Sequence, residues 1–499
     1  KAAQAEAEEA VHTDLTADVV IVGGGASGLP AAIAARRGGA ERVLLLEKGE
    51  QLGGNGRMAH ALFAVDSRAQ REQNIHYSAD QMFSDRMDES EWTIDPVLTR
   101  DLINKAKDVV QWLEDRGMMC DYVFAMSGSE SFENSADAPK VFHCLNAPTD
   151  QERALGPVMI PRLEQECREL GVEIMTGTAG RELLLDDMGR VRGLIAERDG
   201  QDIRVDAPNV ILASGGFAEN QDLLNRYMTV PVAEGELFFN GLPQMTGDGL
   251  MMAQQVDALD RQASVGLIGP CHYPWAMSLN LMVRRPHVLM VNRDGERFIG
   301  YPRKGTSNAL SRQPGKICYA VFDQAILRET LEKRESMGGG EEEMGDHGAW
   351  FDHLADDLKA ENGTVSACIA DTLDELAAYM GADPAVLKAT VARYNELCDR
   401  GYDADYLKDP VYMLPLREAP YYAVLGRQAV DSTMGGIRID HEMQVVNGAG
   451  QRVEGLYATG DAAGGFLSIA YKYPGQALTF ALYSGLVSGG KAAERAAKK

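Results

Sequence analysis

Residues 18–22 (DVVIV) form a short, almost wholly apolar run rich in β-branched side chains, and GGGASG and then LPAAIAARRGGA follow at once. A continuous apolar run of this length, ended by glycines, predicts a strand buried on both faces; the alanine-rich stretch after it predicts a helix. A second apolar run, RVLLLEKG (42–49), closes a β-α-β unit of about 30 residues, the length a parallel crossover needs. Between Trp92 and Gly117 the apolar residues Val97, Leu98, Leu102, Ile103, Ala106, Val109, Val110 and Leu113 recur at helical spacing, with Gly117 near the stop. VEIMTGT (172–178) and RVRGLIAER (190–198) read as strands around the turn DDMG, and VILASGGF (210–217) as a buried strand entering a glycine pair. From residue 266 to 290 the pattern loses its period, and residues 338–345, rich in Gly and Glu, read as an exposed loop. Two helices are predicted between Thr372 and Arg400, and short strands with glycine pairs return over 433–499.

The first glycine segment carries chemistry. Gly23-x-Gly25-x-x-Gly28 follows a strand and opens a helix, and Glu47 ends the next strand, the context that makes this spacing a dinucleotide-binding fingerprint. Gly23 permits the tight turn, Gly25 lets backbone approach a pyrophosphate, and Gly28 lets helix and strand pack closely; Ala26 and Ser27 lie between them at the helix N-terminus, and Glu47 is expected to accept from a ribose. NAD and FAD share this fingerprint. LGGNG (52–56), just after the ribose-binding position, gives the further close backbone approach that the longer FAD requires.

Together with ILASGGF (211–217), TGDG (246–249) and GLYATGDAAGG (455–465), these blocks, in this order, resemble the flavoprotein subunit family of fumarate reductase and succinate dehydrogenase, with its urocanate reductase and 3-ketosteroid dehydrogenase relatives. The likeness runs from about Ala17 to Ala493. It implies an α/β fold, a Rossmann-like FAD-binding domain with an inserted α+β capping domain. The expected boundaries are a flexible segment 1–16, FAD-binding parts 17–266 and 433–499, and a cap over 267–432. It also implies that FAD is held by Gly23, Gly25, Ala26, Ser27, Gly28, Glu47, Lys48, Gly53, Gly54, Asn55, Gly56, Ala213, Ser214, Gly215, Thr246, Gly247, Asp248, Gly460, Asp461, Gln476, Ala477 and Leu478. The His that attaches flavin covalently in some members has no counterpart at the expected place, since His60 lies beyond it in GGNGRMAHA, so dissociable FAD is expected.

The resemblance implies hydride transfer between flavin N5 and one carbon of an activated C=C bond, with a cap side chain handling the proton. Fumarate reductases hold two carboxylates with cap and seam residues, and here that clamp is depleted. Asp431-Ser432 stands where a His is usual, Asn280-Leu281 where a Thr-Glu pair is usual, and Lys472 where an Arg is usual. Arg303 in GERFIGYPRKGTS (295–307) is the nearest match to the proton-delivering Arg, two residues closer to Arg297-Phe298 than the family pattern, and Tyr301 replaces a Glu. Tyr is an ordinary acid–base group, whereas Arg needs a relay. Tyr473, in YPGQALTFALYSG, matches the Y-P-G stretch in which 3-ketosteroid dehydrogenases hold a carbonyl. The expected catalytic set is therefore Arg303, Tyr301, Tyr473 and Lys472. Tyr273, Trp275 and Tyr471 add aromatic surface at the seam, and Arg284, Arg285 and Lys304 add cations for one carboxylate. A flat enone or aryl-enoate fits better than fumarate. Desaturation beside a ketone, as in a steroid dehydrogenase, is the alternative, and a non-catalytic flavin subunit the third reading.

Composition narrows the partners. The formal charge of −25, from 49 basic and 74 acidic residues, repels polyanions, so no nucleic acid is expected. Seven scattered cysteines offer no haem, iron–sulfur or zinc spacing and read as reduced, mostly buried thiols, and no metal is expected. Without a second nucleotide fingerprint, electrons are expected from a separate flavin, haem or quinol-linked protein. No run is apolar enough to span a membrane. The small Ala/Glu segment that begins at Lys1 leaves a cytoplasmic location and export after removal of a signal equally open.

Overall fold

The computed structural model describes residues 15–125, 139–148, 150–239, 241–272, 276–302, 306–333, 351–466 and 475–498. Val19–Val22 lies at the centre of a six-stranded sheet, parallel to Val43–Leu46 on one side and to Val210–Leu212 on the other. Glu173–Met175 extends the first side; Arg452–Ala458 and then Gln444–Val446 extend the second, the last antiparallel. All residues of the two strands that begin at Val19 and Val43 are buried, which is why their sequence is continuous rather than alternating.

Helix Gly28–Arg37 covers this sheet beside the long C-terminal helix Gln476–Ala496. The two backbones approach so closely that a Cβ at Gly485 would lie 2.3 Å from the Ser27 carbonyl oxygen, and one at Gly489 2.1 Å from that of Ala31. The last helix is thereby seated on the turn that opens the first.

The expected strand at 172–178 divides in two. Glu173–Met175 closes the parallel sheet, while Thr178–Leu185 begins a hairpin with Val191–Arg198 around residues 186–190. The boundary falls where Gly177 turns the chain with φ +60°. Gln201–Asp206 and Leu15–Thr16 complete that four-stranded sheet.

A second hydrophobic core gathers residues between Leu279 and Leu425. Its sheet is built on Ile317–Asp323, which pairs with Leu289–Asn292 and with the long strand Tyr421–Ile437. Helices Leu373–Met380 and Pro384–Arg400 belong to this core. Thr372 and Glu375 form a reciprocal capping box on the first, and Asp383 caps the second ahead of Pro384. The strand Leu259–Cys271 begins ahead of the aperiodic stretch 266–290 and runs into it, antiparallel to Tyr421–Ile437, and Tyr421–Ile437 reaches from the second core to the first. Gly266 and Ser432, where the sequence divides, are direct register partners in that ladder. Residues 338–345 lie outside the described residues. All seven cysteines are free, five of them buried. Among the described residues no helix is long and apolar enough to cross a membrane.

A small sheet of Leu62–Phe63, Lys140–Cys144 and Tyr122–Ala125 carries His143, which is fully buried. Its Nδ1–H donates to the Val141 carbonyl at 3.2 Å, so Nε2 accepts from Ser67 Oγ at 2.7 Å; Ser67 in turn caps helix Arg68–Glu72. Burial pushes the imidazole down from 6.5 to about 4. A base whose folded pKa is depressed stabilises fully above 6.5 and loses that contribution as pH falls to 4, because only the unfolded chain takes up the proton. We predict that His143→Asn flattens an acid-side stability loss of roughly 3 kcal/mol between pH 7 and 4. Urea denaturation at several pH values, compared with the parent chain, checks this; parallel pH curves for both proteins would refute it.

Candidate flavin and substrate site

The glycine loop, the end of Val210–Leu212 and the segments after Gly53 and Gly460 line one cavity of about 320 Å³. Its lining includes Gly23, Gly25, Ala26, Ser27, Glu47, Lys48, Gly53, Gly54, Asn55, Gly56, Ala213, Ser214, Gly215, Asp248, Gly460 and Asp461. Thr178, Ala179 and Gly180 close one end and Leu242, Gln244 and Met245 contribute elsewhere, none of them singled out by the sequence. They come from hairpin and loop segments with no glycine fingerprint, so only the fold brings them in.

Local geometry explains the glycines. A Cβ on Gly28 would lie 1.9 Å from the Gly23 carbonyl oxygen, so the helix starts directly against the loop. Gly25 and Gly53 form a parallel bridge, which brings the second glycine block against the first. Glu47 accepts the Gly24 N–H at 2.9 Å on Oε2 and the Gly49 N–H at 2.7 Å on Oε1. Oε2 thus holds the glycine loop and Oε1 the turn after Glu47 itself, and each keeps a further lone pair for a ribose hydroxyl.

Lys48 Nζ binds Asp248 Oδ2 at 2.8 Å and also Thr246 Oγ1, which joins the TGDG block to the end of the second strand. Gly247 caps helix Asp248–Gln254 with φ +76°, and the Gly249 N–H donates to Ser214 Oγ at 3.0 Å. Gln476, Ala477 and Leu478 form the first turn of the last helix, behind Gly475 at φ +85°. Thr479 Oγ1 fastens that turn to Phe63, accepting from its N–H at 2.9 Å and donating to its carbonyl at 2.8 Å. Thr433 Oγ1 takes the Phe217 N–H at 2.6 Å, closing the segment Thr433-Met434-Gly435-Gly436 onto the glycine pair at 215–216.

These residues fit FAD. Helix Gly28–Arg37 has no side-chain cap and no acidic residue in its first turn, so its N-terminal N–H groups and dipole are open to a pyrophosphate. The cavity is walled together by the glycine loop, Glu47, Asn55, Met245 and Asp461, segments more than 400 residues apart in the chain that converge on one ligand space.

A cavity walled by closely packed glycines, with an uncapped helix N-terminus and an acidic residue just past the second strand, defines a dinucleotide-binding flavoprotein. The chain belongs to the FAD binding domain family, whose model matches residues 18–478, and it is an FAD-dependent oxidoreductase. It is 29% identical to vinyl phenol reductase of Lactiplantibacillus plantarum over 96% of both chains. It is 30% identical to fumarate reductase (cytochrome) of Shewanella frigidimarina over 97% of this chain and 78% of that protein. Two solved structures share the fold. The open conformation of a flavocytochrome c3 fumarate reductase has a TM-score of 0.72 at 24% identity, covering 99% of this chain and 81% of that one. The 3-ketosteroid delta1-dehydrogenase of Sterolibacterium denitrificans has a TM-score of 0.74 at 20% identity, covering 96% and 100%.

Of the catalytic expectations, Arg303, Lys472 and Tyr473 lie outside the described residues, as do Tyr273, Trp275, Lys304 and Tyr471. Tyr301 is buried in the second core's surroundings, its ring 5.3 Å from that of Tyr412, which is itself 5.3 Å from His287. Arg285 is a correction. It is buried and ion-paired with Glu329, so its charge is already committed inside the fold. Arg284 donates to the Pro270 carbonyl at 3.2 Å and to Cys271 Sγ at 3.0 Å. His272 is fully buried, its Nδ1–H donating to the Leu425 carbonyl at 3.1 Å, and Nε2 has no hydrogen-bond partner among the described residues. Among the described residues no group of His, Cys, Asp and Glu is arranged to hold a metal ion.

Proposed function

We propose that this chain reduces an activated C=C bond in an organic acceptor, an enone or aryl-enoate rather than fumarate. The observation that carries the reading is the end-to-end likeness to a vinyl phenol reductase, joined to the loss of the dicarboxylate clamp at Asp431-Ser432. Likeness to a urocanate reductase of Eggerthella lenta, 27% identical over 92% of this chain, points the same way. Bound FAD supplies hydride transfer at its isoalloxazine ring.

The chain's own residues supply the rest. The glycine loops and Glu47 hold the dinucleotide, and the separate core between Leu279 and Leu425 supports reading 267–432 as a cap over the flavin. A proton for the second carbon comes from the segment that carries Tyr301 and Arg303, and Lys472 and Tyr473 orient the electron-withdrawing group. We take FAD to be dissociable, because His60 is not among the residues that line the cavity. A separate protein delivers the electrons.

The test is reoxidation of the photoreduced holoprotein by a panel of enoates and enones, together with reduction of the oxidised holoprotein by saturated ketones. Rapid reoxidation by a conjugated aryl acceptor, little by fumarate, and slow direct reduction by NADH are expected. Reduction of the oxidised flavin by a saturated ketone would move the assignment to desaturation. No reoxidation by any acceptor would leave a non-catalytic flavin subunit.

A further inference from the structure

Arg297 forms an isolated antiparallel bridge with Val291 and lies four residues before Tyr301, and among the described residues none of its partners lines the cavity. It is buried, with its side chain 7% exposed, and faces Asp403, whose side chain is 0% exposed. The guanidinium meets the carboxylate at two points, Nη1 to Oδ1 at 3.1 Å and Nη2 to Oδ2 at 2.5 Å. The same group donates back to its own segment, from Nε to the Ile299 carbonyl at 3.2 Å and from Nη2 to the Gly300 carbonyl at 3.3 Å. It sits between the rings of Tyr394 and Tyr406, 5.1 and 5.0 Å from their centroids, and Tyr406 Oη donates to the Arg297 carbonyl at 2.7 Å.

Asp403 is equally fixed. It accepts N–H bonds from Asp405, Tyr406 and Lys408 at 3.1, 3.2 and 3.0 Å, so the 403–408 loop is wound around its carboxylate. Gly300 lies against that loop, and a Cβ there would meet the Tyr406 carbonyl oxygen at 2.9 Å.

We propose that the Arg297–Asp403 pair is a positioning clasp that sets where the chain leaving Gly300 presents Tyr301; this rests on the reading above that the segment carrying Tyr301 handles the proton. A buried ion pair gives little net stability over a well-packed apolar pair. A planar guanidinium that grips two successive carbonyls does something an apolar pair cannot: it fixes the direction in which the chain leaves Gly300 towards Tyr301. Proton transfer is sensitive to that direction, because a misplacement of about 1 Å can cost roughly 100-fold in rate.

The experiment uses flavin-loaded Arg297→Lys, which keeps the charge and loses the fork, and Gly300→Ala, which keeps the ion pair and presses on Tyr406. In both, flavin content and substrate KM stay near the parent values, the reoxidation rate constant falls roughly 10- to 100-fold, and the solvent deuterium effect on reoxidation rises. Should Arg297→Lys fail to fold, Gly300→Ala carries the test alone. Rates that fall only in step with flavin content, or a raised KM with unchanged kcat, would overturn the clasp. Measuring Tyr301→Phe and Arg303→Gln alongside separates the two ideas. If neither slows reoxidation, the reading of the segment fails; if they slow it and the clasp variants do not, the clasp alone fails.

Discussion

Alanine in place of Gly28 is expected to leave a folded chain that binds flavin more weakly. The added methyl carbon would lie 1.9 Å from the Gly23 carbonyl oxygen, well inside van der Waals contact, and the neighbour it strikes is backbone that cannot swing away. Relief requires the loop to move, and the loop is the cavity wall; it is held from the other side by Glu47 through the Gly24 N–H at 2.9 Å. Overpacking of this kind costs about 1–3 kcal/mol, which, withdrawn from binding, is a factor of roughly 5 to 150 in affinity. Titration of the apoprotein with FAD, followed by quenching of flavin fluorescence, measures it. Undiminished affinity would mean that this turn does not bear on the dinucleotide.

The second large effect is on the proton. Loss of a positioned acid slows a step by roughly 10²- to 10⁴-fold, and at least one of Arg303→Gln and Tyr301→Phe should show a loss of that size in single-turnover reoxidation. Flavin content should be unaffected in Tyr301→Phe, since Tyr301 is not among the residues that line the cavity, and is measured in both variants. Rates unchanged in both variants would remove this segment from the chemistry. The Tyr301 ring already packs against Tyr412, so its substitution also tests whether that contact is purely structural.

The cofactor half was legible because its requirements fall on the backbone. Positions where a chain must pass within van der Waals distance of another chain or of a phosphate admit only glycine, and Gly23, Gly25, Gly28 and Gly53 announce themselves by spacing alone. Gly485 and Gly489 obey the same rule but escaped notice, since their partner is a helix more than 450 residues away in sequence. The long strand Leu259–Cys271 was hidden for a different reason. Its bulges and register shifts break the two-residue period that betrays a strand. Arg285 misled because composition cannot tell a cation poised for substrate from one already paired with Glu329. Arg297 was read only as part of the G-x-R-F block, and its partner Asp403 is too distant for any local pattern to join them.

The ladder between Leu259–Cys271 and Tyr421–Ile437 matters for anyone who would exchange the second core between relatives of this chain. Cutting at residues 266 and 432 would sever the strands midway, at two residues that face one another across the ladder. A chimera joined there must match both register and bulge positions of the donor, whereas one joined before Leu259 and after Ile437 carries the whole ribbon with its module and leaves the flavin-binding sheet of its host untouched.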